Sequence, residues 1–304
     1  MNPKTFDIII IGAGPAGTTA ALKLSQSNLK VALIDKAVFP RDKVCGDAVP
    51  GPSFKVLNSI SKDWGKAMNQ FSKSQNITAS KIVAPNNKSF TIHWKTKSYN
   101  SKRIDFDNFL FQTVKEKTQT EIFEGVKANY INIKSDYVQI SGFDDEKREL
   151  KLDAKLIIGA DGTNGISAKT LTDFEMNKNH HCAAVRAYVK GISGLEKTTN
   201  EFYLIKKYAP GYFWIFPLGD DFANIGFGML SSKISEKRLS LKKVLKEIIS
   251  KHPQLKSRFE KAEISGGIKG FGLPVGSRFA KLSGDRFMLA GDAGSLIDPL
   301  QGHG

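Results

Sequence analysis

The segment Phe6-Asp7-Ile8-Ile9-Ile10-Ile11-Gly12-Ala13-Gly14-Pro15-Ala16-Gly17-Thr18 decides the fold. Its apolar run, Asp7 to Ile11, ends in a Gly12-x-Gly14-x-x-Gly17 turn, and an Ala/Leu-rich stretch from Thr18 to Ser27 follows. A second apolar run, Lys30 to Ile34, closes on Asp35. Strand, tight turn, helix and strand make a βαβ unit, because continuous β-branched runs suit parallel strands buried on both faces. In that setting Gly12 permits the sharp turn, Gly14 lets backbone approach a diphosphate, and Gly17 lets the helix pack closely on the strand. Pro15 and Ala16 open the helix, whose unpaired N–H groups and partial positive charge favour an anion. Asp35, followed by Lys36, stands where a carboxylate accepts both hydroxyls of an adenosine ribose and would repel a 2′-phosphate. The segment reads as a dinucleotide site.

Beyond this unit, Ile77 to Ala84 and Ser89 to Trp94 flank a Pro85-Asn86-Asn87 turn and read as an antiparallel hairpin. A helix is expected from about Asp105 to Lys117, with Phe106, Phe109, Leu110 and Val114 as its apolar stripe. Lys155 to Ile158 is another buried strand and runs into Gly159-Ala160-Asp161-Gly162. Alternating, aromatic-rich strands follow from Cys182 to Met229. Leu241, Val244, Leu245, Ile248 and Ile249 mark an amphipathic helix that Pro253 helps to end. Phe287 to Ala290 returns to the parallel-sheet style. No repeat or low-complexity linker separates these parts, so two interwoven domains are expected in the 304 residues.

Composition narrows the function. A chain that is 40% hydrophobic and 25% charged builds a core without staples. Two cysteines, Cys45 and Cys182, far apart and without metal-ligand spacing, argue against disulfides or structural zinc and for a reducing, cytoplasmic setting. The net charge of +15 invites a nucleic-acid reading, but its lysines are scattered and no nucleic-acid module accompanies them. A solvated surface accounts for most of that charge, with anionic membranes or acidic cofactors as its other uses. No apolar run approaches the ~20 residues of a membrane span, so any membrane contact is peripheral. The five histidines show neither metal spacing nor triad partners.

The far end of the chain decides between dinucleotides. Arg286-Phe-Met-Leu-Ala-Gly291-Asp292-Ala293-Gly294, then Asp298-Pro299-x-x-Gly302-His303-Gly304, resembles the second flavin motif of the FAD-dependent monooxygenase and geranylgeranyl reductase superfamily. The resemblance covers essentially the whole chain. It implies that Asp292 binds the ribityl chain of FAD and that the glycines after Pro299 lie against the isoalloxazine edge; His303 stands where the family often has Glu. Gly159-Ala160-Asp161-Gly162 resembles the family's middle motif, whose aspartate orients cofactor and nicotinamide. The match is incomplete, since a Ser and an Arg of that motif are Gly165 and Ala168 here. Arg103 matches an arginine near the ribityl chain.

Two features point within the superfamily to the geranylgeranyl reductase branch. Arg41-x-Lys43-x-Cys45-Gly46 carries that branch's Cys-Gly pair, which lies beside the flavin, so Cys45 is either a proton donor or a small residue filling space. Pro210-Gly211-Tyr212-Phe213-Trp214-Ile215-Phe216-Pro217 matches its PxxYxWxFP pattern. On a strand, Tyr212, Trp214 and Phe216 project from one face, as an aromatic wall for an apolar substrate or as a core strand. Flavin halogenases carry a related stretch in which Trp and Ile replace Tyr212 and Phe216.

The expectation is therefore an α/β protein with a Rossmann-like, parallel-sheet FAD-binding domain (1–75, 100–170 and 265–304) interwoven with an antiparallel-sheet substrate domain (76–99 and 171–264). The resemblance implies an enzyme that uses reduced FAD, recharged by NAD(P)H or another reductant, to reduce double bonds of a prenyl-type lipid. The alternatives are an FAD monooxygenase or halogenase-like enzyme acting on an aromatic or polyketide-like compound, and a flavin-binding protein without turnover. This last arises because family members continue past the position of Gly304 into a helix aimed at the flavin, which makes a fragment or an incomplete copy the expectation here.

Overall fold

The computed structural model describes residues 3–299 and residue 302; the expected cofactor contacts His303 and Gly304 lie outside the described residues. The chain opens with β1 (Lys4–Ile11), α1 (Pro15–Leu24) and β2 (Val31–Asp35). It continues through β3 (Ala48–Val49), α2 (Gly51–Ile60), α3 (Lys62–Asn69) and the hairpin of β4 (Gln75–Val83) and β5 (Ser89–Asn100). Next come α4 (Arg103–Lys117), β6 (Glu121–Glu124), β7 (Val126–Ile133), β8 (Val138–Asp144), β9 (Glu149–Gly159) and α5 (Ser167–Leu171). The strands β10 (His181–Lys190), β11 (Thr199–Leu204), β12 (Tyr212–Pro217) and β13 (Phe222–Leu230) follow. Finally come α6 (Ser231–Glu236), α7 (Leu241–Lys251), β14 (Glu263–Pro274), β15 (Ser283–Gly284) and β16 (Phe287–Leu289).

These elements form two compact units, each with its own eight-stranded sheet. The first unit comprises residues 1–41, 104–176 and 273–304. Its central strands are parallel: β1 lies between β2 and β9, and β16 pairs with β9. Register brings three strand ends level, because Ile11 pairs with Gly159 and Gly159 with Leu289. The loops beginning at Gly12, Ala160 and Ala290 therefore leave the sheet side by side. Ala160 N–H donates to the Ile11 carbonyl and Ala290 N–H to that of Gly159, both at 2.8 Å. One face of the sheet is packed by Ile9, Ile157, Phe287 and Leu289, while Phe6, Ile10, Leu33 and the α4 residue Phe111 are also fully buried.

The second unit comprises residues 42–103 and 177–272. Its strands run in the order β14-β10-β13-β12-β11-β4-β5-β3; from β10 to β3 the pairs are antiparallel except where β4 meets β11. One face buries Val185, Tyr203, Phe213, Ile215 and Phe227 under Val244, Leu245 and Ile248 of α7. The expected boundaries need correction. Residues 42–75, 100–103 and 265–272 belong to this second unit and 171–176 to the first; Val49 pairs with Tyr99 of the hairpin and β14 joins the sheet beside β10. Short helical and turn segments between Asp42 and Ser74 carry no sheet signature of their own, so nothing local in them announces which sheet they join.

Candidate functional site

In the first unit the glycine turn is closed on two sides and open on the third. A Cβ at Gly12, whose φ is +103°, would stand 2.3 Å from the Ala160 carbonyl oxygen, and one at Gly17 would stand 1.8 Å from that of Gly12. A Cβ at Gly14 would meet only the Arg41 guanidinium, at 3.6 Å. Gly14 is also the N-cap of the ten-residue α1, no side chain caps that helix end, and Pro15 occupies its first turn. Open backbone, a helix N-terminus and a guanidinium thus share one spot, a donor set suited to a diphosphate. Arg41 is held there by an ion pair to the buried Asp107 at 2.5 Å and by its position over the Phe39 ring.

Asp35 ends β2 half-buried, with its carboxylate accepting from Ala13 N–H at 2.6 Å and Ala37 N–H at 2.8 Å. Each oxygen keeps a lone pair for a ribose hydroxyl. Lys36 is exposed. Gly291, at φ +60°, lies against the first motif: its Cβ would be 2.9 Å from that of Ala16. The two glycine motifs from opposite ends of the sequence therefore meet, and Asp292 begins the following turn half-buried. Pro299 and Gly302 are exposed, and Gly302 N–H donates to the Asp298 carbonyl. FAD fits the residues of this unit.

Asp161 turns its carboxylate back into its own loop. One carboxylate oxygen accepts from the N–H groups of Ile166 (2.7 Å) and Ser167 (3.0 Å), so it caps the short helix that follows. The other oxygen is buried without a hydrogen bond, and burial raises the acid's pKa. Gly165 is the cause, because a Cβ there would be 2.0 Å from the Asp161 carboxyl carbon. Gly162, at φ +74°, has open space beside it.

In the second unit, Cys45 and Gly46 are held by a buried polar network. The Asn224 amide donates to the Cys45 carbonyl and to the Asp47 carboxylate, both at 2.8 Å, and its oxygen accepts from the Trp214 indole N–H at 3.0 Å. Asp47 is 1% exposed in the left-handed region (φ +68°), and the Arg103 N–H also donates to it. Burial pushes its pKa up to about 6, against the opposing hydrogen bonds from Asn224 and Tyr188. The guanidinium of Arg186 stacks on Tyr188 at 4.0 Å and pairs with Asp42 at 3.0 Å.

Tyr212, Trp214 and Phe216 do share one face of β12, with ring centroids 6.0 and 5.9 Å apart in sequence order. The core role on this strand falls to Phe213 and Ile215, which point to the opposite face. Opposite the wall, β13 presents Gly228, Gly226 and Asn224 in register. A Cβ at Gly226 would lie 2.0 Å from the Trp214 ring, so the glycine is what lets the indole lie flat. A Cβ at Gly46 would stand 3.3 Å from Phe216 and 3.7 Å from the Trp214 nitrogen. Asp47, Asn224 and Gly226 escaped the sequence reading; Gly226-x-Gly228 beside the aromatic stretch was the available signal. Among the described residues there is no cluster of His, Cys, Asp and Glu suited to a metal and no helix long and apolar enough to cross a membrane.

A diphosphate turn, a ribose carboxylate at the second strand end and a second glycine motif folded against the first define a flavin-type oxidoreductase. The chain belongs to the geranylgeranyl reductase family of FAD-dependent oxidoreductases. The model for the geranylgeranyl reductase catalytic domain matches residues 180–268, and that for pyridine nucleotide-disulphide oxidoreductases matches residues 6–183. The chain is 29% identical to the digeranylgeranylglycerophospholipid reductase of Methanococcus vannielii, over 99% of this chain and 73% of the relative. Digeranylgeranylglycerophospholipid reductase 3 of Methanosphaera stadtmanae is 30% identical, over 100% and 74% respectively. Among solved structures, a geranylgeranyl bacteriochlorophyll reductase-like protein from Thermoplasma acidophilum superposes with a TM-score of 0.86. It is 24% identical and covers 100% of this chain and 75% of its own. Flavin-dependent halogenases share the fold alone, at 17–21% identity.

Proposed function

We propose that this enzyme reduces carbon–carbon double bonds of a prenyl-type lipid, using NAD(P)H or another reductant as electron source. When bound, reduced FAD supplies the hydride. In this reading the first unit serves the cofactor. Gly12, Gly14, Gly17, the N-terminus of α1 and Arg41 hold the diphosphate; Asp35, with Lys36 beside it, takes the adenosine ribose. Asp292, Gly291, Gly162, Asp161, Pro299 and Gly302 of this unit belong with the rest of the flavin, and Arg103, although it belongs to the second unit, is read as a flavin contact as well. The second unit serves the lipid: Tyr212, Trp214 and Phe216 give the chain an apolar, water-poor wall. Cys45, whose backbone Asn224 fixes, would give its Sγ proton to the alkene carbon that does not receive the hydride, and solvent would restore the thiol.

The observation that carries the reading is the link from the aromatic wall through Asn224 to the Cys45 carbonyl. It ties the lipid-facing strand to the proposed proton donor within one unit. The test is to incubate the FAD-loaded enzyme with geranylgeranyl lipids and dithionite without oxygen. Products heavier by two hydrogens per reduced bond are expected, at a rate lowered by Cys45→Ala. A product that appears only with O2 and gains an oxygen atom overturns the reading in favour of a monooxygenase.

A further inference from the structure

The face of β12 that carries Tyr212, Trp214 and Phe216 does not end there. Across the sheet Trp214 pairs with Phe202 of β11, Phe202 with Ile82 of β4, and Ile82 with Phe90 of β5. Ile92 follows opposite Ser80, and the Trp94 indole N–H donates to the Ser80 hydroxyl at 3.2 Å. Paired residues share a face, so an apolar track crosses four strands of one unit. Its exposure rises along the way. Trp214 and Phe216 are 6% and 7% exposed, Phe202 and Ile82 are half-buried, and Phe90, Ile92 and Trp94 are 55%, 43% and 44% exposed.

We propose that Phe90, Ile92 and Trp94 dock this protein on an anionic lipid bilayer, at the outer end of the track that leads to the aromatic wall. The identification of the track's cargo rests on the prenyl-lipid reading above. Three large apolar side chains in a row on an exposed strand face need a cover, and Trp at such a position suits the bilayer interface, where its ring is apolar and its N–H is satisfied. The charge around them selects the occupant. Between Gln75 and Asn100 stand four lysines (Lys81, Lys88, Lys95 and Lys97) and no Asp or Glu. Lys81 pairs with Glu196; Lys88 stands exposed just before β5, and Lys95 and Lys97 are exposed on the strand itself, alternating to the face opposite Phe90, Ile92 and Trp94 but within a headgroup's electrostatic reach of them. Anionic headgroups attract such a segment. A second copy of this chain does not fit as well. From Ser89 to Lys97, β5 is an edge strand, and a second such edge would add its own lysines to this one with no acidic residue between Gln75 and Asn100 of either copy to offset them.

The test is flotation of the full chain with vesicles of equal parts phosphatidylglycerol and phosphatidylcholine, and with phosphatidylcholine alone. The protein should float with the acidic vesicles and do so weakly with the neutral ones. Replacing Phe90, Ile92 and Trp94 together by Ser should lower affinity for acidic vesicles about a hundredfold. Lys88→Gln, Lys95→Gln and Lys97→Gln should each lower it about fivefold, and these surface changes keep the test open if the triple variant folds poorly. Tyr130→Ser, which removes a still more exposed aromatic from the other unit, should change nothing. Acidic-vesicle binding that survives both sets of changes overturns the proposal. So does a wild-type dimer in sedimentation equilibrium that the triple Ser variant abolishes while vesicle binding persists. Turnover of lipid presented in detergent separates this proposal from the functional reading. The triple variant should keep that turnover and lose turnover from vesicles, whereas absence of detergent turnover in the wild type counts against the reaction and leaves the flotation result standing.

Discussion

Asp47 shows how much one residue can organise. Its backbone sits in the left-handed region, its carbonyl accepts from Ser101, and its carboxylate gathers Asn224, Arg103 and Tyr188. Burial raises its pKa from 3.8 to about 6, so between those values the folded chain holds a proton that the unfolded chain has lost. The stability contribution of the protonated acid is complete below pH 4 and disappears as pH rises through 6. Asp47→Asn keeps the shape and removes the titration. Its melting temperature should therefore gain on the wild type from pH 4 to 6 and hold a constant offset above that. A flat difference in thermal scans over this range would place the titration elsewhere. None of this was legible in Cys45-Gly46-Asp47 as a string, because Asn224 is 177 residues away in the chain and meets Asp47 only through the packing of β13. The glycine turn was legible because its causes are local. Gly12, Gly14 and Gly17 are needed by the turn they themselves form.

Among the elements, β12 does two jobs with one alternation. Phe213 and Ile215 fill the core beneath α7, while Tyr212, Trp214 and Phe216 make the opposite wall. The period of two was visible in the sequence; the choice of which face is core was not, since both sets are large and apolar. Trp214→Ala should lower kcat/KM for a prenyl lipid by roughly tenfold to a hundredfold, the loss of one large apolar contact. The bound-flavin spectrum should hardly move, because the glycine turn is part of the first unit's sheet and Trp214 part of the second's. Trp214→Phe keeps the wall and leaves the Asn224 oxygen without its donor, so it should fall between the two. Steady-state kinetics and absorbance spectra on the three proteins decide it, and a flavin spectrum altered as strongly as turnover would contradict this division.

At the scale of the whole molecule, ligand linkage gives the broadest check. FAD at a hundred times its dissociation constant should stabilise the protein by about 2.7 kcal/mol if it binds the native state alone. Thermal shift with FAD should show this for the wild type, and Asp35→Ala should need roughly tenfold to a hundredfold more FAD for the same shift. An equal response of the two proteins would remove Asp35 from the site. Hydrogen exchange should slow upon FAD addition at the turn after β1 and the loops after β2 and β16. The lysine surplus was plain from composition, but the absence of any Asp or Glu to balance it in the β4–β5 hairpin mattered only once that hairpin proved to be a sheet edge.

Finally, each unit is assembled from separated stretches of chain, and this sets a timetable. β1 is made first, yet its neighbour β9 ends at Gly159 and the strand beyond that, β16, begins at Phe287. A ribosome therefore releases the opening glycine turn long before the sheet that backs it can exist. During that interval Ile8 to Ile11 has β2 on one side and an open apolar edge on the other, the kind of edge that chaperones cover and that aggregates when they do not. The same register that sets three loops side by side in the finished protein makes the first strand of the nascent chain wait for the last.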